Sequence, residues 1–311
     1  MSKNSLKSIS GKLGVFGNLL IILSIALILV ILFNRLFSSS PLSKEGFEQK
    51  EKVIIKEGTD VYDDFYVSVY DNLSFSELKN NFEVGEIINS TKPTSESKIL
   101  DIGSGTGHHV AQLSDRNIPT MGVDISNFMI TKAKNTYPSE KFIKGDATNA
   151  SMFSPNSFTH ITCLYFGIYY FKDKSLFFNN CMKWLMPGGY LVVHIVDRDR
   201  FDPILPPANP LLLVSPQKYA DKRITKSEVV FNNMQYKANF ELKPDTHVAI
   251  FNERFEGNDN KIRKNKHLFT MEPERDILTM AKQAGFIVHA KIDMVKVGYE
   301  YQYLYVFVKP T

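Results

Sequence analysis

Three alternating glycines, Gly103, Gly105 and Gly107, close the segment Ile99-Leu100-Asp101-Ile102-Gly103-Ser104-Gly105-Thr106-Gly107. A strand that ends in Asp101 and turns through such glycines into a helix brings bare backbone close to a ligand, because glycine has no side chain to keep it away. The chemistry implied is the holding of a nucleotide-like molecule. About 20 residues on, Asp124 ends the run Met121-Gly122-Val123-Asp124-Ile125, where a carboxylate can accept from both hydroxyls of a ribose. Asp146 ends a third run, Phe142-Ile143-Lys144-Gly145-Asp146-Ala147, and can accept from an exocyclic adenine amine. Each aspartate alone reads as an ordinary strand-end residue, but three at successive strand ends in one register point to a shared ligand. The loop is G-x-G-x-G, with His108 where a dinucleotide fingerprint wants its third glycine, which disfavours a dehydrogenase.

The elements that must position these residues alternate between short aliphatic runs and longer amphipathic stretches, the pattern of a parallel α/β sheet. Strands are expected at 98–102, 120–123, 141–143, 158–164 and 190–196, with helices at 108–115, 126–136 and 174–185 between them. Two further helices are expected before the first strand, at 61–70 and 75–88. Residues 197–273 differ in texture, with five prolines by Pro216 and then alternating segments at 229–242 and 247–255, so an inserted antiparallel β region is expected. A helix at 274–284, stopped by Gly285, and strands at 287–295 and 301–308 complete the chain. The expected fold is α/β: a Rossmann-like, doubly wound sheet of seven strands, mostly parallel, closed by a C-terminal antiparallel hairpin.

With the glycine loop, Asp124, Asp146-Ala147 and Leu185-Met186-Pro187-Gly188-Gly189-Tyr190-Leu191 in place, the chain resembles the class I S-adenosylmethionine-dependent methyltransferases over residues 62–310. The resemblance implies S-adenosylmethionine as cofactor. It would set Asp101, Gly103, Ser104, Gly105 and Gly107 along the methionine and ribose side, Asp124 and Ile125 at the ribose and adenine, and Asp146 and Ala147 at the adenine amine. Leu164, at the end of the fourth strand, would face the sulfonium. An activated sulfonium needs alignment and exclusion of water rather than a metal or a protein nucleophile, so no metal is expected. A general base is needed only where the acceptor must lose a proton; His194, Tyr169 and Tyr170 are the weak candidates, with a core role for His194 the competing reading. The aromatic run Tyr165-Phe166-Gly167-Ile168-Tyr169-Tyr170-Phe171 suits either a planar or apolar acceptor or packing on the next helix. Tyr62, Tyr66 and Tyr70 suit either a cover for the cofactor or an ordinary helix face.

Residues 13–34 carry no charge and are long enough for the roughly 20 residues that a bilayer-crossing helix needs. The expected organisation is an N-terminal tail and transmembrane helix over 1–37, a polar tether over 38–57, and a methyltransferase domain over 58–311 that includes the substrate-side insertion 197–273. Lys3, Lys7 and Lys12 before the span and Arg35 and Lys44 after it leave orientation weakly marked, and the catalytic domain is expected on the cytosolic side of a single-pass membrane protein, where the cofactor is made. With 37 basic against 33 acidic side chains, no strong field for a polyanion follows, and a nucleic-acid partner is disfavoured. Lys261, Arg263, Lys264 and Lys266 read as a solvated hairpin tip or as a contact for phosphate or anionic lipid. Two cysteines exclude a disulfide framework and a cysteine-based zinc site. The acceptor is left open among a lipid, a small molecule and a membrane-near protein, with a cap-type RNA methyltransferase and a non-catalytic, membrane-tethered cofactor-binding module as the rival readings.

Overall fold

The structure, a computed structural model, describes residues 19–29, 53–208, 216–258 and 261–311. The chain divides into two units, Met1–Lys50 and Glu51–Thr311. In the first, residues 19–29 are helical with their leucine and isoleucine side chains exposed. Among the described residues no helix is long and apolar enough to cross a membrane, and the rest of the 13–34 segment lies outside them.

The second unit is built on a seven-stranded sheet. Five parallel strands, β2 (Ile99–Ile102), β3 (Thr120–Asp124), β4 (Lys141–Lys144), β5 (Phe158–Cys163) and β6 (Leu185–Val196), are joined by an antiparallel C-terminal pair, β11 (Ile287–Asp293) and β12 (Gln302–Val308), in the order β11-β12-β6-β5-β2-β3-β4. Central strands such as β2 are buried at every residue, as strands covered on both faces must be. The order reverses at β2, which pairs with β3 on one side and β5 on the other, and a doubly wound sheet binds its ligands in the crevice at that point.

The helices begin at short polar side chains. Asp63, Ser76, Ser126 and Asp173 accept from the backbone N–H three residues on and cap α1 (Asp64–Ser74), α2 (Glu77–Thr91), α4 (Asn127–Thr136) and α6 (Lys174–Trp184). The loop of glycines opens the short α3 (His108–Ser114), and α7 (Glu274–Gln283) precedes the final hairpin. Phe177, Phe178 and Trp184 of α6 pack without exposure against Leu191 and Val193 of β6 in the main core, and both cysteines are free and buried.

The insertion supplies four strands of a second, five-stranded sheet: β7 (Lys226–Phe231), β8 (Met234–Lys243), β9 (Val248–Gly257) and β10 (Ile262–Thr270) are antiparallel, and β1 (Val53–Glu57) adds parallel to β10, in the order β1-β10-β9-β8-β7. Three details depart from the sequence expectation. The end of the expected tether, residues 53–57, is a strand, because β10 offers it an edge more than 200 residues away, Val53 opposite Ile262. The alternating segment expected at 229–242 is divided by a turn at Asn232-Asn233 into the β7–β8 hairpin. The basic run is no hairpin tip: Arg263, Lys264 and Lys266 lie within β10, where Arg263 turns inward and is buried while Lys266 pairs with Glu57 at 3.4 Å.

Candidate active site

The glycine loop is stitched to the neighbouring strand. Gly103 and Ser104 both donate their N–H to the Val123 carbonyl, at 2.8 and 3.1 Å. Gly105 donates to Asp124 Oδ2 at 3.0 Å, and Ser126 N–H donates to Asp124 Oδ1 at 2.8 Å. Burial at the bottom of the crevice pushes the Asp124 carboxyl up, against the pull of these backbone donors. Gly103 and Gly105 have φ of 72° and 53°, and a Cβ on Gly103 would meet nothing within 4 Å, so the loop presents open backbone of the kind a ribose and methionine chain can lie against.

A cavity of about 630 Å³ opens from this loop. Of the residues expected to hold the cofactor, Gly103, Gly105, Asp124, Ile125, Asp146, Ala147 and Leu164 line it. Asp146 is exposed at the rim, its Oδ1 accepting from Thr148 N–H at 2.9 Å. Asp101, Ser104 and Gly107 stand behind the wall. Asp101 is buried, accepts from Thr162 Oγ1 at 2.6 Å, and has its carboxyl pushed up to about 6 by burial. Ser104 lies against Gly122, where an added Cβ would come within 2.5 Å of its hydroxyl. Gly107 holds the start of α3 at φ 92°, and a Cβ there would strike the Phe142 ring at 2.6 Å. These three shape the loop from behind the lining residues. Seven of the cofactor-side positions, the open backbone and the partly buried ribose-side carboxylate fit an adenosyl group with a methionine chain.

The candidate bases separate. Tyr169 faces the core and accepts from Val196 N–H at 2.8 Å, away from the cavity, whereas Tyr170, its neighbour on the single turn α5 (Gly167–Tyr170), lines it. His194 also lines it, fully buried, with burial and the nearby Lys79 holding its imidazole down at about 4. Its Nδ1 donates to the Tyr165 carbonyl, leaving Nε2 as the lone-pair nitrogen. That bond steadies Tyr165 in the left-handed region at φ 50°, where a tyrosine sits only when its surroundings hold it.

Below Tyr165 lies a buried charge cluster that the sequence did not mark. Lys79 donates to Glu83 at 2.5 Å, His109 Nε2 meets the other Glu83 oxygen at 2.8 Å, and the Lys79 ammonium stands 3.5 Å over the Tyr165 ring. Burial alone would raise the Glu83 carboxyl, but Lys79 and His109 hold it down at about 2. Lys79 reaches the cavity wall.

The other wall belongs to the inserted sheet. Phe240, Phe251 and His267 are register partners on adjacent strands, and Phe269 stands two residues beyond His267 on the same face. With Phe166 and Phe201 they make an aromatic chamber continuous with the cofactor crevice, and Tyr62, Tyr66 and Tyr70 close it from the α1 side. The period-two pattern in 247–255 marked a face, but not what that face would meet. Among the described residues, no His, Cys, Asp or Glu cluster could hold a metal ion.

Residues 100–193 match a family described as a methyltransferase domain. The chain is 31% identical over 96 residues to a demethylmenaquinone methyltransferase of Beutenbergia cavernae, covering 31% of this chain and 39% of that one. It is 24% identical over 137 residues to a dTDP-3-amino-3,4,6-trideoxy-alpha-D-glucopyranose N,N-dimethyltransferase of Streptomyces venezuelae, covering 43% and 55%. The chain thus spans less than two thirds of the length of these curated relatives. Among solved structures, an S-adenosylmethionine-dependent methyltransferase from Clostridium acetobutylicum superposes with a TM-score of 0.59 at 17% identity, over 79% of this chain and 97% of that one. An amino pentose methyltransferase from Micromonospora echinaspora, solved with S-adenosylmethionine bound, gives 0.56 at 18% identity over 80% and 98%. Residues 100–193 are thus similar to a methyltransferase domain, and the chain shares the fold of solved S-adenosylmethionine-dependent methyltransferases.

Proposed function

We propose that this chain is a working methyltransferase that moves the methyl group of S-adenosylmethionine to an apolar, ring-bearing small molecule at a membrane. The observation that carries the reading is the single cavity that runs from Gly103, Gly105 and Asp124 to the phenylalanines of the inserted sheet. Bound there, the cofactor supplies an electrophilic methyl group. The protein supplies alignment and a dry, aromatic enclosure, which favour a flat apolar acceptor over a charged one. The relatives named for demethylmenaquinone support that class, since their named substrate is a quinone. A polymeric RNA acceptor gains little support, because Arg263 and Lys266 of the basic run are paired with carboxylates.

The uncharged segment 13–34 supports anchoring by a single helix, and the placement of the catalytic domain on the cytosolic side belongs to the same proposal. Anchoring would confine the enzyme to the phase where such an acceptor dissolves. The test is incubation of the full chain with S-adenosylmethionine labelled in its methyl group and with separate pools of membrane quinones, lipids, nucleotide sugars and RNA. Label is expected in the quinone or lipid pool. Label confined to the nucleotide sugars or RNA overturns the acceptor class, and absence of cofactor binding by calorimetry overturns the enzyme.

A further inference from the structure

A buried hydrogen-bonded chain leads from the cavity into the inserted sheet, and none of its members was needed to explain cofactor binding. Tyr62 Oη lies 2.6 Å from Tyr170 Oη, and Tyr170 Oη lies 2.7 Å from His267 Nδ1. His267 Nε2 lies 2.8 Å from Glu253 Oε2. Tyr62, Tyr170 and His267 all line the cavity.

The direction of this chain follows from Glu253. Its Oε1 accepts from Tyr66 at 3.1 Å and Tyr236 at 2.8 Å, and its Oε2 accepts from Asn265 at 3.1 Å as well as from His267. Burial would raise this carboxyl, yet His267 and the surrounding donors hold it below the ordinary range, so it is an acceptor only. His267 Nε2 therefore carries a proton, and in the neutral ring Nδ1 is the lone-pair nitrogen that accepts from Tyr170. Tyr170, having given its proton, accepts from Tyr62. The Tyr62 oxygen is left with unused acceptor capacity at the cavity end.

The backbone of the same Tyr62 is tied to the cofactor side of the cavity. The Tyr62 carbonyl accepts from Ser126 Oγ at 2.7 Å, and Ser126 is the residue whose N–H binds Asp124. Around the chain, Arg263 donates to Asn265 at 2.8 Å and to Asp63 at 2.8 Å, the Asp124 carboxylate acts on Tyr62, and the Tyr70 ring packs edge-on against Tyr62. Among the described residues, Glu253 is the one carboxylate bonded to His267, and no ammonium is bonded to it.

We propose that His267, held by Glu253 and reached through Tyr170 and Tyr62, takes the proton of an acceptor hydroxyl, so that the substrate is an aromatic alcohol methylated on oxygen. The inference rests on the function proposed above. The acceptor oxygen forms a bond to the methyl carbon, and the carbon–sulfur bond breaks with its electron pair returning to sulfur. The hydroxyl proton passes to Tyr62, that of Tyr62 to Tyr170 and that of Tyr170 to His267, which becomes an imidazolium beside the Glu253 carboxylate. Charge balances: the positive charge leaves sulfur and ends on His267. The surrounding phenylalanines exclude the water that would otherwise receive the proton.

The test uses the full chain and two probes, 1-naphthol and 1-methoxynaphthalene, the second lacking the O–H. Calorimetry with S-adenosylhomocysteine present is expected to show naphthol binding about tenfold tighter than the ether, a preference lost in Tyr62→Phe. With labelled cofactor, naphthol is methylated, and His267→Gln lowers turnover at pH 7 at least about a hundredfold with little change in KM. Its rate then climbs about tenfold per pH unit, because only naphthol already ionised in solution reacts. Tyr170→Phe, which keeps the ring, gives the same profile even if the histidine variant fails to fold. Nitrogen NMR of histidine-labelled protein is expected to place the His267 proton on Nε2. Equal binding of the two probes, no methylation of naphthol, unchanged turnover in Tyr170→Phe, or an Nδ1 proton overturns the proposal. Cofactor binding retained in those cases leaves the methyltransferase reading standing, whereas its loss removes both.

Discussion

Gly105 N–H donates to Asp124 Oδ2 at 3.0 Å, so the loop and the carboxylate expected to meet one ligand first meet each other. The bond fixes the third residue of the G-x-G-x-G turn to the end of β3. The other oxygen of the same carboxylate fixes Ser126 and the start of α4. One side chain thus sets both banks of the crevice.

Replacing that side chain separates ligand contact from loop support. Asp124→Ala strands two backbone donors and removes the ribose-side acceptor, and is expected to weaken S-adenosylmethionine at least about a hundredfold and to cost about 1–3 kcal/mol of stability. Asp124→Asn keeps one acceptor oxygen and is expected to lose affinity with much less loss of stability. Calorimetry and urea unfolding of the two variants check this; equal affinity in Asp124→Ala and the parent would remove the carboxylate from the site.

Two glycines of one motif are expected to fail in different ways. Both have positive φ, which costs a side chain about 1–2 kcal/mol. At Gly103 that is the whole cost to the fold, because the added methyl points into open space; that space is the one proposed for the cofactor, so Gly103→Ala is expected to lose affinity. At Gly107 the methyl meets Phe142 at 2.6 Å and Ala133 at 3.2 Å, adding an overpacking cost of about 1–3 kcal/mol. Thermal melting should rank Gly107→Ala well below Gly103→Ala.

This contrast shows what the sequence could and could not reveal. Spacing put Gly103, Gly105 and Asp124 at one crevice, because strand ends and turn glycines are local signals. It could not separate Gly103 from Gly107, since the difference is a ring from β4. The same limit hid β1, whose partner is β10, and His267, whose role depends on Glu253 across a strand pair and on Tyr170 from α5. Lys79 and Glu83, four apart on a helix, have the spacing of an exposed pair and are instead buried.

That pair makes a stability prediction. Lys79→Met leaves the Glu83 charge with only His109, and breaking a buried pair from one side costs about 3–5 kcal/mol. Replacing both, with Lys79→Met and Glu83→Gln, removes the stranded charge and should recover most of that loss. Urea unfolding of the single and double variants measures it; additive losses would show that the pair does not act as a unit.

His194 ties the fold to pH. Its imidazole is lowered from the ordinary 6.5 to about 4 by burial and by Lys79, so the folded chain refuses a proton that the unfolded chain accepts throughout that window. Where the unfolded state binds more protons, stability rises with pH. The contribution is therefore complete above pH 6.5 and is lost as pH falls toward 4, by on the order of 3 kcal/mol. Asp101 acts in the opposite sense over part of the same range, because its carboxyl, raised to about 6, holds its proton more tightly in the folded chain. Comparison with His194→Gln isolates the histidine, since glutamine can still donate to the Tyr165 carbonyl but does not titrate. Unfolding free energies at pH 7.5 and 4.5 should drop more in the parent than in the variant by about 2–3 kcal/mol; an equal drop in both would mean that His194 takes up its proton as readily in the folded chain as in the unfolded one.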